Sequence, residues 1–337
     1  MNELSAFKDK LAQPGQVVIT THRNPDGDAI GSALAVYHWL KSLGHVPQVV
    51  IPSGYPDFLA WMPEVDHILV YDNTPEKAIA AVKSADWYVC LDFNAIDRID
   101  KIGEALLQEK RFIALVDHHL EPEDFADFLF SDTSASSTCE LVYDLMHRCG
   151  QEDRIDRNVA ECIFTGILTD TGSFKYGTSP KVYRTVANLL ERGVDDYRLQ
   201  ELIFNGLEEK QLRLLGHCLR HRMEILPEYH TGIIVLTKED YVKYDIQRGD
   251  TEGIVNYLLR IKDVKMAAFI MEQPTIVKIS LRSKGDFSVQ EIASKYFKGG
   301  GHRNASGGYS FHGLRAAVRK LKEILPEYQD QLINASI

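Results

Sequence analysis

No apolar run in this 337-residue sequence approaches the roughly 18 residues that a membrane-spanning helix requires. A membrane partner is therefore not expected. The opening stretch, MNELSAFKDKLAQPGQ, mixes charge with apolar residues at helical spacing. It lacks the basic start, apolar centre and small-residue cleavage site of a secretory leader, so a cytoplasmic protein is expected. Cysteine is scarce: Cys90, Cys139, Cys149, Cys162 and Cys218 make an odd set with no CxxC pair. This argues against a disulfide framework and removes thiolate as a metal ligand, leaving buried thiols in a reducing compartment. Net positive charge is missing as well. Against 38 Lys and Arg stand 48 Asp and Glu, for a formal net charge of -10. A protein that grips long duplex usually carries a basic footprint. Any nucleic-acid substrate is expected to be small.

What remains is an ordinary globular composition, 45% hydrophobic and 26% charged, on a chain long enough for two domains. The first half alternates short β runs with helical patterns. Residues 16–22 (QVVITTH) read as a buried strand, and 29–44 as the helix that follows, with Gly44 as its stop. Further strands are expected at VPQVVIP, DHILVY, WYVCLDF and FIALVDH, with crossover helices over 74–84 and 99–110. Apolar strands alternating with helices predict a parallel sheet covered on both faces. From Ser136 the pattern turns helical, and residues 196–224 read as a helical link. New strands are expected at HTGIIVLT, VKMAAFIMEQ and TIVKISLRS, with helices between them. The fold class is α/β: a parallel-sheet domain over 1–195, a helical linker over 196–228, and a smaller α/β domain over 229–337.

Acids and histidines fall at the carboxyl ends of these strands. VVITTH ends at His22 and runs into RNPDGD, with Asp26 and Asp28. YVCLD ends at Asp92, and IALVDHH at Asp117, His118 and His119. Open α/β sheets place their ligand sites there. Pro25 and Gly27 bend the loop so that Asp26 and Asp28 can both turn inward. Carboxylates and imidazoles without sulfur suit Mn²⁺ or Mg²⁺, and imidazole moves the balance toward Mn²⁺ or another transition ion. Clustered carboxylates repel, and bound cations resolve that conflict. Asp170, in GILTDTGSF, follows an apolar helix face; alone it reads as a helix or turn cap. Likewise NPDGD and LDFN, taken singly, are good turn sequences. In the second half, KGGGHRNASGG reads as a flexible loop or as a backbone cradle for an anion. Arg282 could clamp a phosphate.

Four segments, THRNPDGDAIGSALA, CLDFNAIDRI, LVDHHL and GILTDTGSFKYGTS, resemble the four motifs of the DHH phosphoesterase family, in the family's order. The segment ISLRSKGDFSVQEIASKYFKGGGHRNASGG resembles its DHHA1 substrate-binding domain. The resemblance implies two divalent ions, most simply Mn²⁺, with the active site in the cleft between the domains. One ion would take His22, Asp26 and Asp92, and the other Asp28, Asp92, His118 and Asp170. Asp117 would orient its neighbours and His119 would face the scissile phosphate. Arg282, Ser283, Gly299, Gly300, Gly301 and His302 would hold the substrate.

The resemblance further implies phosphoester hydrolysis. The subgroup it suggests cleaves very short oligoribonucleotides to mononucleotides and can take the 3′-phosphate from 3′-phosphoadenosine 5′-phosphate (pAp). A phosphodiesterase for cyclic or linear dinucleotides, a pyrophosphatase or exopolyphosphatase, and a non-catalytic nucleotide-binding module are the alternatives. The expected partner is short RNA or a small nucleotide, with a homodimer left open.

Overall fold

Val, Ile, Leu and aromatic residues fill the short apolar runs, and these fold as strands buried on both faces. The computed structural model describes residues 3–247 and 249–336. The chain divides into two compact units, Met1–Gly206 and Leu207–Ile337.

The first unit carries a six-stranded sheet of β1 (Gln16–Thr21), β2 (Val46–Ile51), β3 (Leu69–Val70), β4 (Trp87–Leu91), β5 (Phe112–Asp117) and β6 (Phe128–Ser131). The order is β3-β2-β1-β4-β5-β6, and every pairing is parallel. Its helices are α1 (Glu3–Leu11), α2 (Gly27–Ser42), α3 (Pro75–Ser84), α4 (Asp100–Glu109), α5 (Thr138–Arg148), α6 (Arg157–Asp170), α7 (Pro180–Glu191) and α8 (Asp196–Phe204). One core, on the α2, α5 and α6 side, includes Ile19, Trp39, Trp87 and Phe164. The other, on the α3 and α4 side, includes Tyr88, Phe93 and Leu106. Helices α2 and α6 approach closely at Gly31, where a Cβ would lie 2.7 Å from the Cys162 carbonyl. Only glycine permits that approach.

The second unit has a mixed sheet of β7 (Met223–Leu226), β8 (Thr231–Leu236), β9 (Met266–Glu272), β10 (Val277–Ser283), β11 (Gly300–His302) and β12 (Ala305–Ser310), ordered β11-β12-β10-β9-β8-β7. Only β8 and β9 run parallel. The helices are α9 (Glu209–His217), α10 (Lys238–Lys243), α11 (Ile254–Leu258), α12 (Val289–Phe297), α13 (Leu314–Ile324) and α14 (Gln329–Asn334). Helices α12 and α13 pack over the Val277, Ile279 and Leu281 side of β10.

Three local expectations change. DHILVY pairs over only two residues, Leu69 and Val70. The stretch read as a helical link breaks after α9 into a π turn, Cys218–Arg222, and then strand β7. KGGGHRNASGG folds as the β11–β12 hairpin rather than as a loop. Four of the five cysteines are buried and all are free. Burial pushes the Cys218 thiol up to about 12. No helix among the described residues is long and apolar enough to cross a membrane.

Candidate active site

Strands β1 and β4 are neighbours, in register through Thr21 and Leu91. From this pair the chain builds outward to β2 and β3 on one side and to β5 and β6 on the other. His22 and Asp92, the next residues along, therefore emerge beside each other at the switch point of the sheet, where such folds bind ligands. Leu91 is in register with Val116, which brings Asp117 to the same edge.

Asp92 is the centre of the cluster. It is buried, and its φ of 64° lies in the left-handed region, which aspartate tolerates better than most residues. Its two oxygens face different histidines. Oδ2 lies 3.4 Å from His22 Nε2, while Oδ1 lies 3.5 Å from His118 Nε2. Burial pushes its carboxyl up, but the His22 hydrogen bond and the nearby His119, His22 and His118 charges outweigh burial and hold it well below the usual range. For His22 burial opposes the charge, and the Asp92 and Asp26 carboxylates still raise the imidazole.

Asp26 and Asp28 come from the start of α2. Asp26 caps the helix, its Oδ1 accepting from the N–H groups of Asp28 and Ala29 at 3.0 and 3.1 Å. The same carboxylate groups with His22 and Asp92, their ligand atoms all within 4.8 Å of one another. Asp28 is fully buried and groups likewise with Asp92 and His118. Burial, then the Asp92 and Asp170 charges, push its carboxyl well above the usual range.

Asp28 is also held by a partner that sequence reading missed. Thr138 N–H donates to Asp28 Oδ2 at 2.6 Å, and Cys139 N–H to Oδ1 at 2.9 Å. The Thr138 hydroxyl donates to Asp92 Oδ1 at 3.0 Å. The two N–H groups belong to the buried first turn of α5, an end of the helix that favours negative charge. SASSTCE reads as a helix start, with Ser137 accepting from Glu140 N–H. That the helix end is aimed at two acids more than forty residues upstream was not visible.

The two histidines of DHH divide. His118 Nδ1 lies 3.3 Å from the Ala135 carbonyl, which turns Nε2 toward Asp170, Asp92 and Asp28 at 3.2, 3.5 and 3.8 Å. Burial opposes its charge, but the Asp170 hydrogen bond and the three carboxylates raise it to about 11. Asp170, the last residue of α6, is raised to about 6, by burial first and by Asp26 and Asp92. His119 Nδ1 instead meets Asp117 Oδ1 at 2.7 Å. Asp117 is fully buried.

His22, Asp26, Asp28, Asp92, Asp117, His118 and His119 thus fall into groups able to hold metal, and Asp170 adjoins them through His118 Nε2 at 3.2 Å. Two overlapping triads, His22–Asp26–Asp92 and Asp28–Asp92–His118, share Asp92. Mutually repelling buried carboxylates on this scale are what a divalent cation relieves.

In the second unit, Arg282 on β10 and His302 on β11 both pair with Ala305 on β12, so they stand in one cross-strand row. The glycines do not share one role. A Cβ at Gly299 would overlap the Gly307 carbonyl, and one at Gly301 would sit 2.7 Å from the Ala305 carbonyl. These two serve the hairpin's close packing, whereas a Cβ at Gly300 would meet only open space. Ser283 is buried, its hydroxyl donating to the Phe287 carbonyl and accepting from Asn304. It holds the turn beside Arg282 rather than presenting its hydroxyl.

Residues 16–167 match the DHH family, N-terminal domain, and residues 230–332 the DHHA1 domain. The chain is 31% identical over 298 residues to the bifunctional oligoribonuclease and PAP phosphatase NrnA of Thermus thermophilus, covering 88% of this chain and 84% of that protein. A crystal structure of an exopolyphosphatase-related protein from Bacteroides fragilis superposes with a TM-score of 0.94 at 39% identity, covering 98% of both chains. RecJ from Thermus thermophilus, in complex with Mn²⁺, shares the fold at a TM-score of 0.53 and 12% identity, over 98% of this chain and 54% of that one.

Proposed function

The chain belongs to the DHH phosphoesterase family and is a metal-dependent phosphoesterase; on that premise we propose that it hydrolyses very short oligoribonucleotides to mononucleotides and pAp to AMP. The observation that carries the chemistry is Asp92, common to two ligand triads and turning one oxygen to each. In this reading His22, Asp26 and Asp92 hold one divalent ion, and Asp28, Asp92, His118 and Asp170 the other. Mn²⁺ suits this mixed oxygen and imidazole set, and the RecJ fold neighbour carries it. Bound ions of this kind supply a water of lowered pKa and neutralise phosphoryl charge.

The chain's own residues do the rest. Thr138 and the start of α5 fix Asp28 and Asp92 before any ion arrives. Asp117 accepts from His119 Nδ1 and so sets the ring's orientation. On this reading His119 faces the scissile phosphate and donates to a phosphoryl oxygen, where charge develops in the transition state. Arg282, His302 and the backbone at Gly300 take the substrate's other phosphate, with the second unit as the substrate domain.

The NrnA likeness supports the substrate. A second reading, hydrolysis of pyrophosphate or polyphosphate, is favoured by the Bacteroides fragilis likeness. A Mn²⁺ panel of pAp, RNA of two to five nucleotides, cyclic di-AMP and pyrophosphate decides between them. Dinucleotide and pAp are expected to turn over fastest. Preferred turnover of pyrophosphate overturns the assignment, and preferred turnover of cyclic di-AMP moves it to a cyclic-dinucleotide phosphodiesterase.

A further inference from the structure

The chain is acidic overall, but residues 292–322 hold seven Lys and Arg and no Asp or Glu. Strands β10, β11 and β12 also contain no acid. On β10, Val277, Ile279 and Leu281 are buried toward α12 and α13, so Lys278, Ser280 and Arg282 occupy the opposite face. Directly paired residues share a face. The register therefore lays out that face in rows. Arg282, Ala305 and His302 form the first, Ser280, Gly307 and Gly300 the second, and Lys278 with Tyr309 the third.

The third row is unusual for a sheet surface. Tyr309 is 37% exposed and Phe311, just beyond the strand, is 62% exposed. Their rings meet edge to face with centroids 5.3 Å apart. Lys298 Nζ stands 5.5 Å from the Phe311 ring centroid, and Lys278 is the cross-strand partner of Tyr309. One exposed aromatic needs no explanation. Two in contact, with a lysine on each side and an arginine and a histidine farther along the same face, have the composition of a single-strand binding surface: π faces for bases and cations for the backbone. The middle row carries two glycines and a serine, so it leaves a flat floor between the two ends. Tyr309 lies four residue steps beyond Ala305 on β12, a span of about 14 Å at the usual strand rise. That is too long for one nucleotide held at Arg282 and suits a strand with further nucleotides beyond it.

We propose that Tyr309 and Phe311, with Lys278 and Lys298, form a second nucleotide subsite that stacks a base of single-stranded RNA beyond the one held at Arg282 and His302. This deepens the oligoribonuclease reading and rests on it. The subsite contributes only when the substrate is long enough to reach it. It makes the enzyme's affinity depend on RNA length while leaving pAp and dinucleotides unaffected.

The test is the double variant Tyr309→Ala/Phe311→Ala beside Tyr309→Phe, with two readouts. In Mn²⁺ kinetics, KM for a pentaribonucleotide is expected to rise about fivefold or more in the double variant, on the scale of losing base–aromatic stacking. Its kcat, and the KM for dinucleotide and pAp, should stay as in the parent, and Tyr309→Phe should behave as the parent. In fluorescence anisotropy with EDTA, where no turnover occurs, Kd for a labelled pentaribonucleotide should weaken by a similar factor. Equal Kd in parent and double variant overturns the subsite, whether or not the enzyme cleaves RNA. Failure of the parent to cleave any RNA overturns the oligoribonuclease reading instead.

Discussion

The backbone N–H of Thr138 stands 2.6 Å from Asp28 Oδ2 while its hydroxyl reaches Asp92 Oδ1 at 3.0 Å. One residue thus holds an acid from each of the two ligand triads. Thr138→Val keeps the shape and the N–H but deletes the hydroxyl. Loss of such a supporting hydrogen bond is expected to weaken Mn²⁺ binding by about 10-fold, and to cost about 1 kcal/mol of stability. Calorimetric Mn²⁺ titration measures the first. Unchanged affinity would show that Thr138 only starts a helix.

Asp117 and His119 form the second such relationship. Asp117 is fully buried, and it groups with His119 and Asp92, their ligand atoms all within 4.8 Å of one another. Asp117→Ala should therefore lower kcat by roughly 10- to 100-fold, the range for residues that orient a working side chain. KM for a dinucleotide should hardly change. Asp117→Asn keeps an oxygen acceptor for Nδ1–H and should recover part of the loss. Asp92→Ala, by contrast, should abolish Mn²⁺-dependent turnover. Full activity in Asp92→Ala would end the shared-ligand assignment.

The metal site should titrate. Without an ion, His118 is held protonated, raised to about 11, and Asp170 is raised to about 6. Ligation needs a neutral imidazole and ionised carboxylates, so binding must release protons. Mn²⁺ affinity is expected to rise with pH between 6 and 8. Titrations in buffers of different ionisation enthalpy should report net proton release; zero release or uptake would contradict this arrangement.

Much of this was legible because strand ends are legible. QVVITTH, YVCLD and IALVDHH are short apolar runs that stop at a ligand, and the fold delivers their ends to one edge. Asp170 was weak alone, since an acid at the end of a helix is usually a cap. What stayed hidden depends on long-range pairing. No strand is expected at Phe128–Ser131, which pairs with β5. Thr138 looks like any helix start until α2 brings Asp28 against it. The glycine-rich hairpin reads as flexible because sequence cannot tell a glycine that permits close packing, such as Gly299, from one that leaves space, such as Gly300.

The second unit carries its own acid-sensitive latch. Asp240 is buried beside the π turn that follows α9. Its Oδ1 meets His217 Nε2 and Arg222, each at 2.8 Å, and its Oδ2 accepts from Thr237 N–H. Burial works against the charge, but Arg222, Thr237 and His217 outweigh burial and lower the carboxyl below its usual range. A lowered folded-state value means that stability is fully present above the ordinary carboxylate range and is lost as pH falls through it. Asp240→Asn should cost about 1–3 kcal/mol near pH 7. The gap between variant and parent should narrow toward pH 3. Urea melts at the two pH values measure this, and a gap that widens at low pH would refute it.

Glycine substitutions separate packing from site geometry most sharply. Helices α2 and α6 meet where Gly166 faces Asp28 and Cys139. A Cβ at Gly166 would overlap Cys139 Sγ and lie 2.5 Å from Asp28 Oδ1. Cys139 and Asp28 are both fully buried, so neither has open space to retreat into. Gly166→Ala is therefore expected to destabilise by about 1–3 kcal/mol through overpacking. It should also displace the Asp28 carboxylate from the Thr138 and Cys139 N–H groups, so that Mn²⁺ binding suffers in the fraction that still folds. Gly216, in α9, offers the opposite case. A Cβ there would meet nothing within 4 Å, and alanine is the better helix former. Gly216→Ala should stabilise by about 0.4–1 kcal/mol and leave Mn²⁺ affinity alone. If Gly166→Ala leaves both thermal stability and Mn²⁺ affinity unchanged, the close approach of α6 to Asp28 does not constrain the site.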